Sequence, residues 1–155
     1  MGFFDSVKAS LSKYAEFSGR ASRSEFWFFF LFVIGAQAMA RLVDAIFLGR
    51  GGYLPGPVYG IVALVLLLPQ IAVAVRRLHD VGKDGKELVA PLVLLFASSF
   101  VGYFAFVGFI GRIVAMGVAG ITLLLFARLV YLLAEKGRTV PNRYGACPKR
   151  YRFKG

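Results

Sequence analysis

The segment RRLHDVGKDGKE at residues 76–87 divides the chain into two halves that each contain long apolar runs. It carries the only histidine, His79, beside two adjacent arginines. Gly82 and Gly85 are expected to end any helix that enters the segment, so the sequence predicts a charged loop here. The apolar runs on either side are about 20 residues long, which is the length that a helix needs to cross a bilayer. The segment therefore predicts two membrane hairpins, one before it and one after it.

The composition indicates a membrane protein. Of the 155 residues, 58% are hydrophobic and only 17% are charged. We expect one integral membrane domain over residues 1–155, with an all-α fold of four transmembrane helices arranged as two hairpins. The predicted spans cover about residues 26–48, 58–75, 88–107 and 113–134.

Residues 1–18 have the pattern of an amphipathic helix. Apolar residues such as Phe3, Val7 and Leu11 recur at spacings of three and four, with polar residues between them. This pattern predicts a helix that lies in the membrane interface before the first span. Ser22 and Glu25 then have the spacing of a capping box, which predicts the start of the next helix.

The first predicted span contains three polar residues on one helical face, Gln37, Arg41 and Asp44. In one interpretation, Arg41 extends to the membrane surface and pairs with Asp44. In the other, the three side chains form a polar stripe that faces the bundle interior or a water-filled cavity. The second interpretation predicts an oligomeric channel or transporter, because four spans are few for a monomeric carrier.

The second predicted span contains Pro69, which cannot donate a hydrogen bond to the carbonyl of Val65. We expect a kink with a local polar repair, for which the neighbouring Gln70 is available.

The positive charges predict the orientation. The net charge is +11, and of the nineteen Lys and Arg residues only four lie outside three basic segments: Arg41, Arg50, Arg112 and Arg128. The three segments are the amino-terminal region, the charged loop and a basic tail at residues 135–155. Because cytoplasmic loops of membrane proteins are enriched in Lys and Arg, we expect both termini and the loop in the cytoplasm.

Five arginines are candidates for contacts with anionic lipid or a partner protein: Arg20, Arg23, Arg76, Arg77 and Arg143. Basic residues next to a span commonly bind anionic lipid, and this interpretation is preferred to nucleic-acid binding. A metal site is not expected, because one histidine and one cysteine far apart give too few ligands. The sequence predicts neither a cofactor nor an enzyme. An enzyme acting on lipid phosphate would need a catalytic acid or nucleophile near residues 76–87, where only His79 and Asp80 are candidates.

Three motifs in order, GRASRSEFW at 19–27, PQIAVAVRRLHDVGKDG at 69–85 and PNRYG at 141–145, resemble the domain-of-unknown-function family 805. The resemblance implies a small helical protein of the bacterial inner membrane, with no settled activity and no catalytic residue to carry over. The chain departs from the family pattern at four positions: Phe28, Lys86, Glu87 and Cys147.

The predicted topology places all three motifs on the cytoplasmic face. We therefore expect contacts between them, with Glu25 pairing with Arg76 or Arg77, and Asp80 pairing with Arg20 or Arg23. The leading functional hypothesis is a non-catalytic inner-membrane protein whose basic face binds anionic lipid or a partner. That partner would be a second copy of the chain or another membrane protein.

Overall fold

The computed structural model describes residues 2–48, 56–104, 108–146 and 148. These residues form five α-helices and no β-strand, which confirms the all-α prediction. The helices are α1 (Phe3–Ser12), α2 (Arg23–Leu48), α3 (Pro57–Asp80), α4 (Val89–Phe104) and α5 (Phe109–Ala134), and a 3₁₀ turn at Gly85–Leu88 leads into α4. Four predicted features lie outside the described residues: most of the turn at 49–57, the end of the third span at 105–107, Cys147, and the last basic residues of the tail.

Three of the described helices are long and apolar enough to cross a membrane. They are α2, α3 and α5, and they correspond to the predicted first, second and fourth spans. α5 begins at Phe109 rather than at residue 113. α4 has 16 described residues, just below the usual range of about 17–25 for a spanning helix.

The predicted loop at residues 76–87 begins later than expected. α3 continues through Arg76 and Arg77 to Asp80, because these charged side chains are buried against partners from other segments. Gly82 then ends the helix at a φ of 80°, as predicted. The Lys83 amide donates to Leu78 and the Gly82 amide donates to His79, the two hydrogen bonds of a Schellman motif.

α2 and α3 form an antiparallel hairpin whose two ends are both fixed by hydrogen bonds. At one end, the Ala21 amide donates to the carbonyl of Arg76 at 2.9 Å. At the other end, the Asp44 carboxylate accepts hydrogen bonds from the amides of Val58 at 3.1 Å and Tyr59 at 2.8 Å. The first half of the chain therefore packs as an antiparallel helical hairpin, and its crossing of the membrane stays a prediction.

α4 packs along α5 as a second antiparallel pair. Glu87, in the 3₁₀ turn before α4, forms an ion pair of 3.0 Å with Arg128 near the end of α5. The residues 20–25, 76–88 and 128–145 consequently lie together at one end of the helices, which we call the polar end.

The hydrophobic core lies toward the polar end. Its buried side chains come from the segment before α2, the first half of α2, the middle and second half of α3, the 3₁₀ turn and the last turns of α5: Ala21, Phe26, Phe29, Val33, Leu66, Val73, Ala74, Leu78, Leu88, Leu129, Leu132 and Leu133. Among the described residues, the first half of α5 adds no side chain to this cluster. The packing thus holds the polar ends of both hairpins together.

α1 packs against α2 with its apolar stripe only partly covered. The Phe3 ring contacts the Phe28 ring of α2 edge-to-face, with centroids 6.0 Å apart, and Ser6 and Ser10 are buried. Phe4 is 83% exposed and Leu11 is also exposed, so part of the apolar stripe lies on the outside of the helices.

The carbonyl freed by Pro69 is repaired by a residue that is distant in sequence. The Tyr14 hydroxyl, just after α1, donates a hydrogen bond to the Val65 carbonyl. We had expected a local repair near Gln70, but the partner comes from the amino-terminal segment. Val65 lies roughly 16 Å along α3 from Arg76, at 1.5 Å per residue, so this segment reaches well below the polar end.

Candidate functional site

The centre of the polar end is a buried carboxylate between two arginines. One Asp80 oxygen accepts a hydrogen bond from Nε of Arg20 at 2.9 Å and lies 2.8 Å from Nη2 of the same guanidinium. The other oxygen lies 2.5 Å from Nη1 of Arg77. The Asp80 and Arg77 side chains are 0% exposed and that of Arg20 is 1% exposed. Burial strengthens these charge-assisted hydrogen bonds and makes the loss of any partner costly.

A second buried pair lies beside the first. Arg76 donates from Nη1 to the Glu25 carboxylate at 2.9 Å, and the Arg76 side chain is fully buried. Its Nε and Nη2 atoms have no hydrogen-bond partner within the described part of the chain. The Glu25 amide donates a hydrogen bond to the Ser22 hydroxyl oxygen at 3.2 Å, which caps the start of α2. Ser22 therefore caps α2 as predicted, while the Glu25 carboxylate contacts α3.

The same arginines bind carbonyls at the end of α5 and in the tail. Arg77 donates from Nε to the Leu133 carbonyl at 2.9 Å and from Nη2 to the Glu135 carbonyl. Cations are favourable at the carboxyl end of a helix, where the last carbonyls have no partner within the helix. Arg20 donates to the Val140 carbonyl at 2.9 Å and to the Arg138 carbonyl. Two side chains thus connect the amino-terminal segment, α3, α5 and the tail.

The tail motif at residues 141–145 packs on the last turn of α3. The ring of Tyr144 stacks on His79, with ring centroids 3.8 Å apart and an angle of 3° between planes. The Asn142 side chain donates to the His79 carbonyl at 2.8 Å. On its other side, His79 Nδ1 lies 3.2 Å from the Gly19 carbonyl. His79 is therefore enclosed between the first and third motifs.

Gly137 allows the tail to pass directly over the ion cluster. The Arg138 amide donates to the carbonyl of Asp80 at 3.0 Å, which brings the chain against this carboxylate. A Cβ atom at position 137 would overlap the Asp80 side chain. The close approach therefore requires glycine at this position.

The structure divides the five candidate arginines into two groups. Arg20, Arg76 and Arg77 are buried and paired with carboxylates, so their guanidinium groups face the protein interior. Arg23 and Arg143 are exposed, and Arg143 lies over the Tyr144 ring. Lipid or partner binding stays a prediction, and the two exposed arginines are the ones positioned for it.

The structure gives Arg41 and Asp44 of the first span different partners. Asp44 is buried and caps the start of α3, while Arg41 is exposed and lies 4.4 Å from the Tyr59 ring centroid. The expected Arg41–Asp44 pair was wrong, because the unpaired amides at the start of α3 compete for the carboxylate. Gln37 is half-buried.

Several contacts of the site were missed at the level of sequence. The stacking of Tyr144 on His79, the Asn142 contact and the α5 carbonyls bound by Arg77 were not expected. The only signal was that PNRYG occurs together with the other two motifs. In the part of the chain that the structure describes, no three His, Cys, Asp or Glu side chains form a group that could hold a metal ion.

Comparison with known proteins supports the family resemblance that the three motifs at the polar end indicate. Residues 14–146 match a family described as "Protein of unknown function (DUF805)". The chain is 35% identical to the inner membrane protein YhaI of Escherichia coli K12 over 141 residues, covering 90% of this chain and 91% of that protein. It is 32% identical to the inner membrane protein YhaH of the same strain over 99 residues, covering 64% of this chain and 78% of that protein. No solved structure matches the chain. The predicted resemblance is confirmed, and the chain belongs to the DUF805 family of proteins of unknown function.

Proposed function

We propose that this chain is a non-catalytic, multi-pass protein of the bacterial inner membrane whose polar end faces the cytoplasm and binds anionic phospholipid. The observation that carries the proposal is the division of charges at this end. The buried ion cluster fixes the shape of the surface, and basic side chains remain exposed around it: Arg23, Lys83, Lys136 and Arg143.

The membrane location is supported by the relatives, which are named inner membrane proteins, and by the three long apolar helices. We take α4 as the third of four spans, because it pairs with the 26-residue α5 and begins beside that helix's end. Four spans put both termini on one side. The basic segments favour the cytoplasm for that side.

We assign α1 to the cytoplasmic interface of the membrane. Its exposed Phe4 and Leu11 side chains are suited to contact lipid. The hydrogen bond from Tyr14 to the Val65 carbonyl supports a placement in which the end of this segment lies close to the hydrocarbon core.

Binding is favoured over catalysis because the candidate catalytic groups are already occupied. Asp80 is enclosed by two arginines, and one face of the His79 ring is covered by Tyr144. A channel based on the first span receives less support, because Asp44 is bound to the start of α3.

The test is to replace both exposed arginines, Arg23→Gln and Arg143→Gln, in the full chain. Each basic residue near an anionic surface contributes about 1 kcal/mol, so the double variant should bind phosphatidylglycerol about 30-fold more weakly. Native mass spectrometry of detergent-released protein titrated with this lipid measures the change. The matched control is Arg23→Lys with Arg143→Lys, which keeps the charges and should keep the affinity.

Equal phosphatidylglycerol affinity in the glutamine variant and wild type would refute the proposal. If the wild-type protein copurified with a second protein and without anionic lipid, the ligand of the polar end would be a protein partner and not a lipid.

A further inference from the structure

A pocket of about 200 Å³ lies at the polar end, away from the ion cluster, between the start of α4 and the last turns of α5. Its floor is apolar and includes Pro91, Leu125 and Leu129. Its rim carries two acidic and two basic side chains: Asp84, Glu87, Lys86 and Arg128. An apolar floor beneath a charged rim is the arrangement expected where a membrane surface meets its hydrocarbon layer.

The four charges of the rim sum to zero, and they form only part of the ion pairs that they could form with one another. Arg128 contacts both Glu87 oxygens through Nη2, at 3.2 and 3.0 Å, yet its side chain stays 55% exposed. Asp84 accepts the Lys86 amide at 3.0 Å, and this hydrogen bond lowers the pKa of the Asp84 carboxyl, which stays ionised at neutral pH. The Lys86 ammonium has no ion pair among the described residues. The rim thus offers both a cation and an anion to a ligand.

We infer that this pocket binds a zwitterionic phospholipid whose headgroup carries a primary ammonium, as in phosphatidylethanolamine. Its phosphate would face Lys86 and Arg128, and its ammonium would donate hydrogen bonds to Asp84 and Glu87. A purely anionic headgroup has no ammonium group to place against Asp84 and Glu87. A choline headgroup has the same charge as ethanolamine but no N–H to donate.

The size and surroundings of the pocket fit a headgroup with the first part of an acyl chain. Its volume is below the roughly 300–1,000 Å³ of sites that enclose whole drug-sized ligands, so the rest of the lipid must lie outside. Val89 and Leu92 of α4 are 56% and 42% exposed, which provides apolar surface near the start of that helix. The inference rests on the proposed membrane placement but not on lipid binding by Arg23 and Arg143.

The test compares phosphatidylethanolamine, phosphatidylcholine and phosphatidylglycerol with identical acyl chains in native mass spectrometry of the full-length protein. Wild type should bind phosphatidylethanolamine about tenfold more tightly than phosphatidylcholine, because hydrogen bonds to charged groups are worth this order of affinity. The double variant Asp84→Asn with Glu87→Gln keeps the side-chain shapes and leaves the rim positive. It should lose this preference and gain affinity for phosphatidylglycerol.

Two further variants separate this site from the basic face. Ala90→Trp adds a large ring to the pocket lining and should abolish the ethanolamine preference. Arg23→Gln with Arg143→Gln should leave that preference unchanged, even where phosphatidylglycerol binding falls. Equal binding of the ethanolamine and choline lipids by wild type, an unchanged preference in the Asp84/Glu87 variant, or no lipid binding by wild type would overturn the inference.

Discussion

Replacement of Asp80 by Asn perturbs the centre of the ion cluster with little change in side-chain size. In the native protein, one carboxylate oxygen accepts from Arg20 and the other from Arg77, and all three side chains are buried. The amide of Asn has one acceptor oxygen, so it can satisfy only one guanidinium and presents an N–H group to the other. The variant therefore removes the negative charge that the two buried arginines share.

The expected loss in the free energy of unfolding is large, although Asp80→Asn replaces only one carboxylate oxygen by an amide nitrogen. Removing one partner of a buried ion pair typically costs 3–5 kcal/mol, and because one hydrogen bond can persist we expect about 3 kcal/mol. The matched control is Glu87→Gln, in an ion pair whose arginine is 55% exposed. An exposed pair contributes about 0–1 kcal/mol, so the control should be close to wild type.

The assay is unfolding of the purified protein by increasing sodium dodecyl sulfate in mixed micelles, followed by far-UV circular dichroism. The account predicts that Asp80→Asn unfolds at a clearly lower detergent fraction than both wild type and Glu87→Gln. If Asp80→Asn lost less than about 1 kcal/mol, or no more than the control, the cluster would not hold the polar end together.

Three further predictions use the same unfolding assay. Gly137→Ala should lower the free energy of unfolding by about 1–3 kcal/mol, because the added methyl group overlaps the Asp80 carboxylate. Gly120→Ala is the control and should cause no loss, because the space around Gly120 is open. Equal effects of the two substitutions would contradict the close approach of the tail to Asp80. Tyr14→Phe removes the hydroxyl that donates to the Val65 carbonyl and should cost about 1–3 kcal/mol of stability. The cost should be smaller in a Pro69→Ala background, where the amide of residue 69 can donate to the same carbonyl. An equal cost in both backgrounds would show that the Tyr14 hydroxyl does not replace the hydrogen bond that Pro69 lacks. Asp44→Ala removes the acceptor at the start of α3 and should cost about 0.5–2 kcal/mol, while Asp44→Asn should retain most of the stability.

The elements of the fold follow from local features of the sequence. Apolar runs of spanning length predict α2, α3 and α5, because their length must match the thickness of the membrane core. Gly82 marks the end of α3 because its positive φ is easily adopted by glycine. Local pattern also predicts the cap at Ser22, since a cap depends on residues within one turn.

Contacts between distant segments are less predictable, because spacing says nothing about which partner a charge selects. Sequence left two choices for Glu25 and for Asp80, and the structure pairs them with Arg76 and with both Arg20 and Arg77. For Asp44, the sequence suggested a partner one turn away, Arg41, and the structure gives a different one. The amides at the start of the next helix, α3, donate to the Asp44 carboxylate instead.

The start of the charged loop was misplaced for a related reason. Sequence reasoning ended the second span before Arg76, since arginines are expensive in a membrane segment. Burial of both guanidiniums against carboxylates and carbonyls allows α3 to continue to Asp80. The partners that make this helix extension stable come from residues 20–25 and 133–135, which no local pattern connects to it.

Cysteine labelling in spheroplasts tests whether the polar end faces the cytoplasm. In a Cys147→Ser background, single cysteines at Ser18, Lys83 and Arg112 would be exposed to a membrane-impermeant maleimide. The account predicts labelling at position 112 in intact spheroplasts, and at positions 18 and 83 only after the membrane is opened. Labelling of 18 and 83 in intact spheroplasts, with 112 protected, would contradict it.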